Sequence, residues 1–375
     1  MFELPKEEQE QTFTKYGIPI RNLWLLYFYA SDMYKHLDEE SLHGCEQQPE
    51  GIPNLLAEVL CQHVEHRVLR SLTQSYHNRS RDLNRVRGKI DLLMTERRKL
   101  LSKGKVHCHF DELTVDTSRN QYVVSALSKL AILCSNKALI TRCVGLKNRL
   151  LQMGVLVVAG VKYSDIGRLG RNDIQDRKML DISRLIHDMS YMNESAGNRR
   201  SMNPNRDETH LRTLFEKAVG GFYWLHLKGT GWTVNTGKKH EWQVENGSDL
   251  FNRLLPGMET DIILESKLEG RRIIIDTKFN NLITRGQFDN ESARSGYLYQ
   301  LYAYLNSQEK SGDPLSINSE GVLLHPEVDR GVDESGLIQG HLMRFCTVKL
   351  NGDFSIFKKE LLRIVSVESE DLIAN

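Results

Sequence analysis

The sequence has almost no excess of charge of either sign: 50 Lys and Arg stand against 49 Asp and Glu, a net of +1 over 375 residues. That balance disfavours a protein that coats nucleic acid by bulk charge, and leaves a local basic face open. Long hydrophobic runs are missing too. The longest, Leu150 to Val161, is interrupted by Gln152, Gly154 and Gly160, whereas a bilayer crossing needs about 20 apolar residues. No membrane contact is expected. The amino-terminal stretch is polar and acidic, the opposite of a secretory leader, so a cytoplasmic location is expected. Cysteine is sparse: Cys45, Cys61, Cys108, Cys134, Cys143 and Cys346 contain no Cys-x-x-Cys pair and cannot form a disulfide framework. His63-x-x-His66 and His107-Cys-His109 lack the one-face spacing of His-Glu-x-x-His and read as structural residues. Nor is there a Gly-x-x-x-x-Gly-Lys-Ser/Thr loop, a Gly-x-Ser-x-Gly elbow or a Gly-x-Gly-x-x-Gly turn. Their absence argues against self-powered nucleotide hydrolysis, acyl transfer and dinucleotide chemistry.

What is there is ordinary globular composition, 40% hydrophobic and 26% charged. No repeat of about 20 to 50 residues is visible, which removes solenoids and propellers. Helical spacing of apolar residues predicts helices within 17–36, 51–72 and 121–135, the second opened by the stop signal Pro53-Asn54. Residues 191–210, rich in Asn, Ser and Gly and holding Pro204, read as a linker. Beyond it come a helix from about Leu211, strands at 261–264, 272–278 and 321–324, and a helix with the apolar face Tyr297, Leu298, Leu301, Tyr304 and Leu305. Strands alternating with helices predict a mixed α/β carboxyl-terminal domain, 196–375, after an amino-terminal α+β domain, 1–195.

Chemistry concentrates in Asp261 and in Asp276-Thr-Lys278. If the runs TDIILE and RRIIIDTK pair around a two-residue turn at Leu268-Glu269, Asp261 lies directly opposite Asp276. Alternation then puts Lys278 on the same face as Asp276, with Ile275 and Thr277 pointing away. Opposed carboxylates repel, and a divalent cation with oxygen ligands offsets that repulsion. A neighbouring Lys can orient water or stabilise charge on phosphate, so the set suits metal-assisted phosphodiester hydrolysis. Asp-x-Lys alone is a weak signal, and a charged strand end is often only a solvated edge. The register, the apolar run Ile273–Ile275 and the strand-end position of Asp276 favour the functional reading.

These residues resemble the PD-(D/E)xK nuclease motif. The stretch Leu298-Tyr-Gln300-Leu-Tyr302-Ala-Tyr304 resembles the Gln-x-x-x-Tyr element of RecB-like members, and Glu216 stands where that family's first helix often adds an acid. Further segments resemble the McrC family in order: Pro19-Ile-Arg21-Asn22, Arg87-Gly88-Lys89-Ile90-Asp91, Phe110-Asp111-Glu112-Leu113, Leu255-Pro256-Gly257-Met258-Glu259-Thr260-Asp261, and Gly321 to Asp329. The first 15 or so residues and the 191–210 stretch have no counterpart. The resemblance implies a Mg²⁺-dependent endonuclease subunit acting on double-stranded DNA. Asp261, Asp276 and Lys278 would be catalytic, with Asp261, Asp276 and Glu216 as metal ligands and Gln300 and Tyr304 as auxiliary residues. It also implies an McrB-like AAA+ GTPase ring as partner, one that reads modified cytosine and whose hydrolysis the amino-terminal domain stimulates. A non-catalytic adaptor of that ring and a stand-alone RecB-like nuclease are the alternatives. Between Arg67 and Lys105, 12 Lys and Arg face 3 acidic residues. Arg85, Arg87 and Lys89 in that stretch are candidate partner or nucleic-acid contacts, against the plain reading of a solvated basic face.

Overall fold

The computed structural model describes residues 12–13, 18–36, 39–170, 173–197, 204–285, 291–310 and 312–366. Its contacts fall into two units: residues 1–52 with 191–375, and residues 53–190. This division differs from the expected 1–195 and 196–375, because the first 52 residues pack with the second half of the chain. Helix α1 (Ile20–Ala30) carries the reason. Leu23, Leu25, Phe28 and Tyr29 on it are almost wholly buried, and the helix packs extensively on residues 204–226 in the second half of the chain. Helix α2 (Glu39–Gln47) comes next in the chain.

In the unit 53–190, helix α3 (Ile52–Arg70) starts with Pro53 in its first turn, where a missing N–H costs nothing. A small antiparallel sheet comes after it, of strands β1 (Ser75–Leu83) and β2 (Lys89–Ile90), helix α4 (Leu92–Arg97) and strand β3 (Val106–Thr114), in the order β1-β3-β2. Helices α5 (Ser118–Leu133) and α6 (Lys137–Gln152) are capped by Thr117 and Asn136, whose side chains accept backbone N–H bonds. Tyr122, Val123, Ala126, Leu127 and Leu130 bury the predicted stripe of α5. Helix α7 (Ile174–Gly197) runs through the place expected to be a linker, and helix α8 (Pro204–His226) resumes at Pro204, so only 198–203 of that stretch lie outside the described residues. Proline at the first helical position is a start signal rather than a breaker, which the linker reading overlooked.

The other unit is built on a mixed six-stranded sheet. Its strands are β4 (Trp232–His240), β5 (Met258–Ser266), β6 (Arg271–Thr277), β7 (Glu320–Pro326), β8 (Asp333–Ile338) and β9 (His341–Val348), in the order β8-β9-β7-β6-β5-β4. β7 pairs parallel with both β6 and β9, and the remaining pairs are antiparallel. Helix α9 (Ser295–Gln308) packs Leu301, Tyr304 and Leu305 over Ile263, Ile274 and Leu323. Helix α8 packs against β4, β5 and β6, with Ile262 beneath Gly220. Helix α10 (Phe354–Val365) completes the fold. The architecture is the mixed α/β one expected from the sequence. All six cysteines are buried and none is in a disulfide, and among the described residues no helix is long and apolar enough to cross a membrane.

Candidate active site

β5 and β6 pair Ile262 with Ile275, Ile263 with Ile274 and Leu264 with Ile273, the register derived from the sequence. The connection is longer than expected. Pairing stops at Ser266 and Arg271, leaving Lys267–Gly270 as a four-residue loop. Gly270 there takes a left-handed φ of +64°, which favours glycine. Lengthening the loop equally on both strands leaves opposed residues opposed, so the register survives. One step beyond the last pair, Asp261 meets Asp276.

The two carboxylates have different surroundings. Asp261 turns Oδ2 onto Thr277, whose backbone N–H donates at 2.7 Å and whose hydroxyl donates at 2.8 Å. Strand alternation had Thr277 pointing away. At the end of β6 its N–H has run past the β5 ladder, and the carboxylate takes it instead. Asp276 is fully buried, at 0% exposure. The Lys278 ammonium, itself 3% exposed, lies 2.6 Å from Asp276 Oδ2. This is an ion pair without hydrogen-bond alignment, and both Asp276 oxygens are left with no hydrogen-bond partner. Burial pushes the Asp276 carboxyl up to about 6, opposed by Lys278 and reinforced by Asp261. Lys278 also sits 5.2 Å from the centre of the Tyr297 ring, whose hydroxyl accepts from Asn280 at 2.7 Å.

Two clefts open on this hairpin end. One, of about 410 Å³, is lined by Glu216, Glu259 and Asp261 with Lys35 and Lys217 at its margin. The other, of about 400 Å³, is lined by Lys278, Arg212, Arg294, Asn280 and Tyr297. Glu216, half-buried on α8, has its carboxyl raised by burial first and then by Asp261 and Glu259. Tyr304 accepts a hydrogen bond from Gln300 Nε2 at 2.5 Å. Burial raises its hydroxyl, and the charges of Asp276, Asp261 and Glu259 raise it further. Asp261, Asp276, Lys278, Glu216 and Tyr304 therefore share one electrostatic neighbourhood, with Gln300 tied to it through Tyr304.

The donor set fits a hard divalent cation. A carboxylate at zero exposure whose oxygens carry no hydrogen bond beyond the Lys278 ion pair is costly, and oxygen ligation of a cation removes that cost. Asp276, the remaining oxygen of Asp261, and Glu216 are the residues able to hold it. Thr277 and Arg212 escaped the sequence reading. Thr277 occupies the unspecified middle of Asp-x-Lys, and Arg212 carries no motif beyond its place one helical turn before Glu216.

Comparison with known proteins gives the family. The family described as McrBC 5-methylcytosine restriction system component matches residues 4–317. The chain belongs to the McrBC family. It is 27% identical over 353 residues to the type IV methyl-directed restriction enzyme EcoKMcrBC of Escherichia coli strain K12, covering 92% of this chain and 97% of that one. It is also similar to a chain of the tetradecameric assembly of Thermococcus gammatolerans McrB AAA+ hexamers with bound McrC, at 12% identity and a TM-score of 0.41 over 96% of this chain and 78% of the other. A second structure, the Thermococcus gammatolerans McrBC complex, matches at 14% identity and a TM-score of 0.32 over 49% of this chain and 61% of that one.

In this McrBC chain the basic stretch belongs to the unit 53–190. Arg85, Arg87 and Lys89 are exposed around the turn between β1 and β2. Arg87 pairs with Glu112 at 3.5 Å and stacks 4.3 Å from the Phe110 ring centre. Arg67, Arg79 and Arg98 are likewise engaged, with Asp176, Glu112 and Asp82, so the net charge of the stretch overstates its free cations. Gly88, at φ +65°, has no room for a side chain: a Cβ would stand 2.3 Å from the His109 carbonyl oxygen.

Proposed function

We propose that this chain is the Mg²⁺-dependent DNA endonuclease subunit of an McrBC-type restriction complex. In this reading it hydrolyses phosphodiester bonds when coupled to an McrB-like AAA+ GTPase ring that reads modified cytosine, and it stimulates that ring's hydrolysis. The observation that carries the reading is Asp276: a carboxylate at zero exposure with no hydrogen bond, opposite Asp261 and 2.6 Å from Lys278. Family membership supports the restriction context.

Asp261, Asp276 and Glu216 would hold Mg²⁺, which when bound polarises the phosphoryl group and lowers the pKa of water. Thr277 fixes the Asp261 carboxylate in place through its two donors. Lys278 puts a buried positive charge where charge develops on phosphate. Tyr304, braced by Gln300, stands beside the carboxylates. The exposed Arg85 and Lys89 are offered as contacts to the partner or to phosphates.

The test is cleavage of supercoiled DNA with Mg²⁺, with and without the partner ring, alongside the partner's nucleotide hydrolysis. Asp261→Asn keeps an acceptor for Thr277 while losing the charge, and is expected to abolish cleavage and leave stimulation of the ring intact. Arg85→Glu with Lys89→Glu is expected to weaken stimulation, more so at low salt, where screening is weakest. Cleavage by Asp261→Asn at the wild-type rate would overturn the assigned site, and stimulation of the ring without any cleavage by the wild-type complex would leave an adaptor.

A further inference from the structure

On strand β3, His107 and His109 are two residues apart and share a face, while Cys108 between them is fully buried on the other. Antiparallel pairing with β1 sets Asp82 opposite His107 and Ser80 opposite His109. Each pairing is used: His107 Nδ1 lies 2.5 Å from Asp82 Oδ1, and His109 Nδ1 lies 2.5 Å from Ser80 Oγ. The Nδ1 of each ring is thereby occupied, and Nε2 is the nitrogen left for a ligand. Asp91 arrives from beyond β2, its N–H held by the His107 carbonyl oxygen at 2.8 Å. Its Oδ1 accepts from Met94 N–H at 2.9 Å, which caps α4. Its Oδ2 lies 3.2 Å from His109 Nε2. One ligand atom from each of Asp91, His107 and His109 falls within 4.8 Å of the others.

We propose that Asp91, His107 and His109 form a Zn²⁺ site in the unit 53–190, with Asp82 and Ser80 as the outer partners that orient the two imidazoles. Tetrahedral Zn²⁺ with bonds of about 2.0–2.1 Å keeps its ligand atoms about 3.3 Å apart, which the His109–Asp91 separation already meets. Two imidazoles and one carboxylate suit zinc, with a fourth position left to water, whereas Mg²⁺ takes oxygen ligands. A histidine whose second nitrogen is held by a carboxylate is the arrangement that orients metal-binding imidazoles. Ion pairs account for His109 with Asp91 and for His107 with Asp82 taken singly, and a cation accounts for the convergence of Asp91, His107 and His109 on one point. The site would pin β2 and the start of α4 to β3, and so fix the turn that displays Arg85 and Lys89. Sequence spacing did not reveal it because Asp91 and Asp82 reach the histidines only through strand pairing.

The test uses the full-length chain carrying Asp276→Asn, which disables the nuclease site as a competing binder. After removal of metal by a chelator, ZnCl₂ is titrated by calorimetry and CoCl₂ by visible absorption. One equivalent of Zn²⁺, a tetrahedral cobalt band and a raised melting temperature are expected. His109→Gln and Asp91→Asn, which keeps the α4 cap acceptor, should remove the band. Asp82→Asn touches no metal and should weaken binding about 10- to 100-fold. Absence of zinc binding by the parent chain overturns the proposal. So does equal affinity in the parent, the His109→Gln chain and the Asp82→Asn chain.

Discussion

Asp276 ionises against its surroundings. Its carboxyl is raised from 3.8 to about 6 because burial outweighs the attraction of Lys278. The folded metal-free protein therefore holds a proton that the unfolded chain releases between those values. The resulting stability is fully present below pH 3.8 and is lost as pH rises through about 6, to the extent of about 3 kcal/mol. Urea melts of the metal-free chain should show this loss between pH 4 and 7, and Asp276→Asn should flatten it. A cation needs the ionised carboxylate, so Mg²⁺ binding should take the opposite course and weaken as pH falls below about 6. A wild-type chain with the pH profile of Asp276→Asn would show that burial does not control this group.

Contacts between elements leave no room at one glycine and open space at another. Gly221 on α8 lies under α1 so closely that a Cβ would stand 1.9 Å from the Tyr29 carbonyl oxygen, a backbone atom with no freedom to turn away. Gly145 on α6 has nothing within 4 Å of that position. Gly221→Ala should therefore destabilise by about 1–3 kcal/mol through overpacking. Gly145→Ala should stabilise by up to about 1 kcal/mol, by removing backbone entropy from the unfolded chain. Thermal melts of the two variants should move in opposite directions. A Gly221→Ala chain as stable as wild type would mean that α1 is free to shift on α8.

For the whole molecule, residues 1–52 are part of the unit that carries the candidate site. Asn22 Nδ2 donates to the carbonyl oxygens of Leu350 and Gly352, both at 2.8 Å. Glu46 gathers the Tyr29 hydroxyl at 2.5 Å, Lys358 at 2.8 Å and His226 at 2.9 Å. Burial works to raise the Glu46 carboxyl, but its three partners outweigh burial and hold it at about 2. The stability this adds is present above the ordinary carboxylate range and is lost as pH falls through about 2. A fragment of 196–375 should consequently fail to melt cooperatively, while 53–190, a compact unit, should fold alone. Circular dichroism melts of the two fragments check this, and a cooperative transition in 196–375 would remove the claim that α1 is needed.

Much of the carboxyl-terminal half was legible in sequence because its signals are local. Alternation and a glycine-ending turn set the β5–β6 register, and that register alone brings Asp261 to Asp276. Helical spacing found α3, α5 and α9 for the same reason, each stripe being a short-range pattern. What the tertiary structure decided depends on residues far apart in the chain. The assignment of α1 to the second half rests on which surface can bury Phe28 and Tyr29, and no local pattern records that. Pro204 serves as a helix start because the apolar face of α8 finds a sheet to cover, and a proline by itself reads equally well as a break. The grip of Thr277 on Asp261 needs the end of a ladder. The meeting of Asp82, Asp91, His107 and His109 needs three strands aligned side by side, because composition and spacing act along the chain and ligation acts across it.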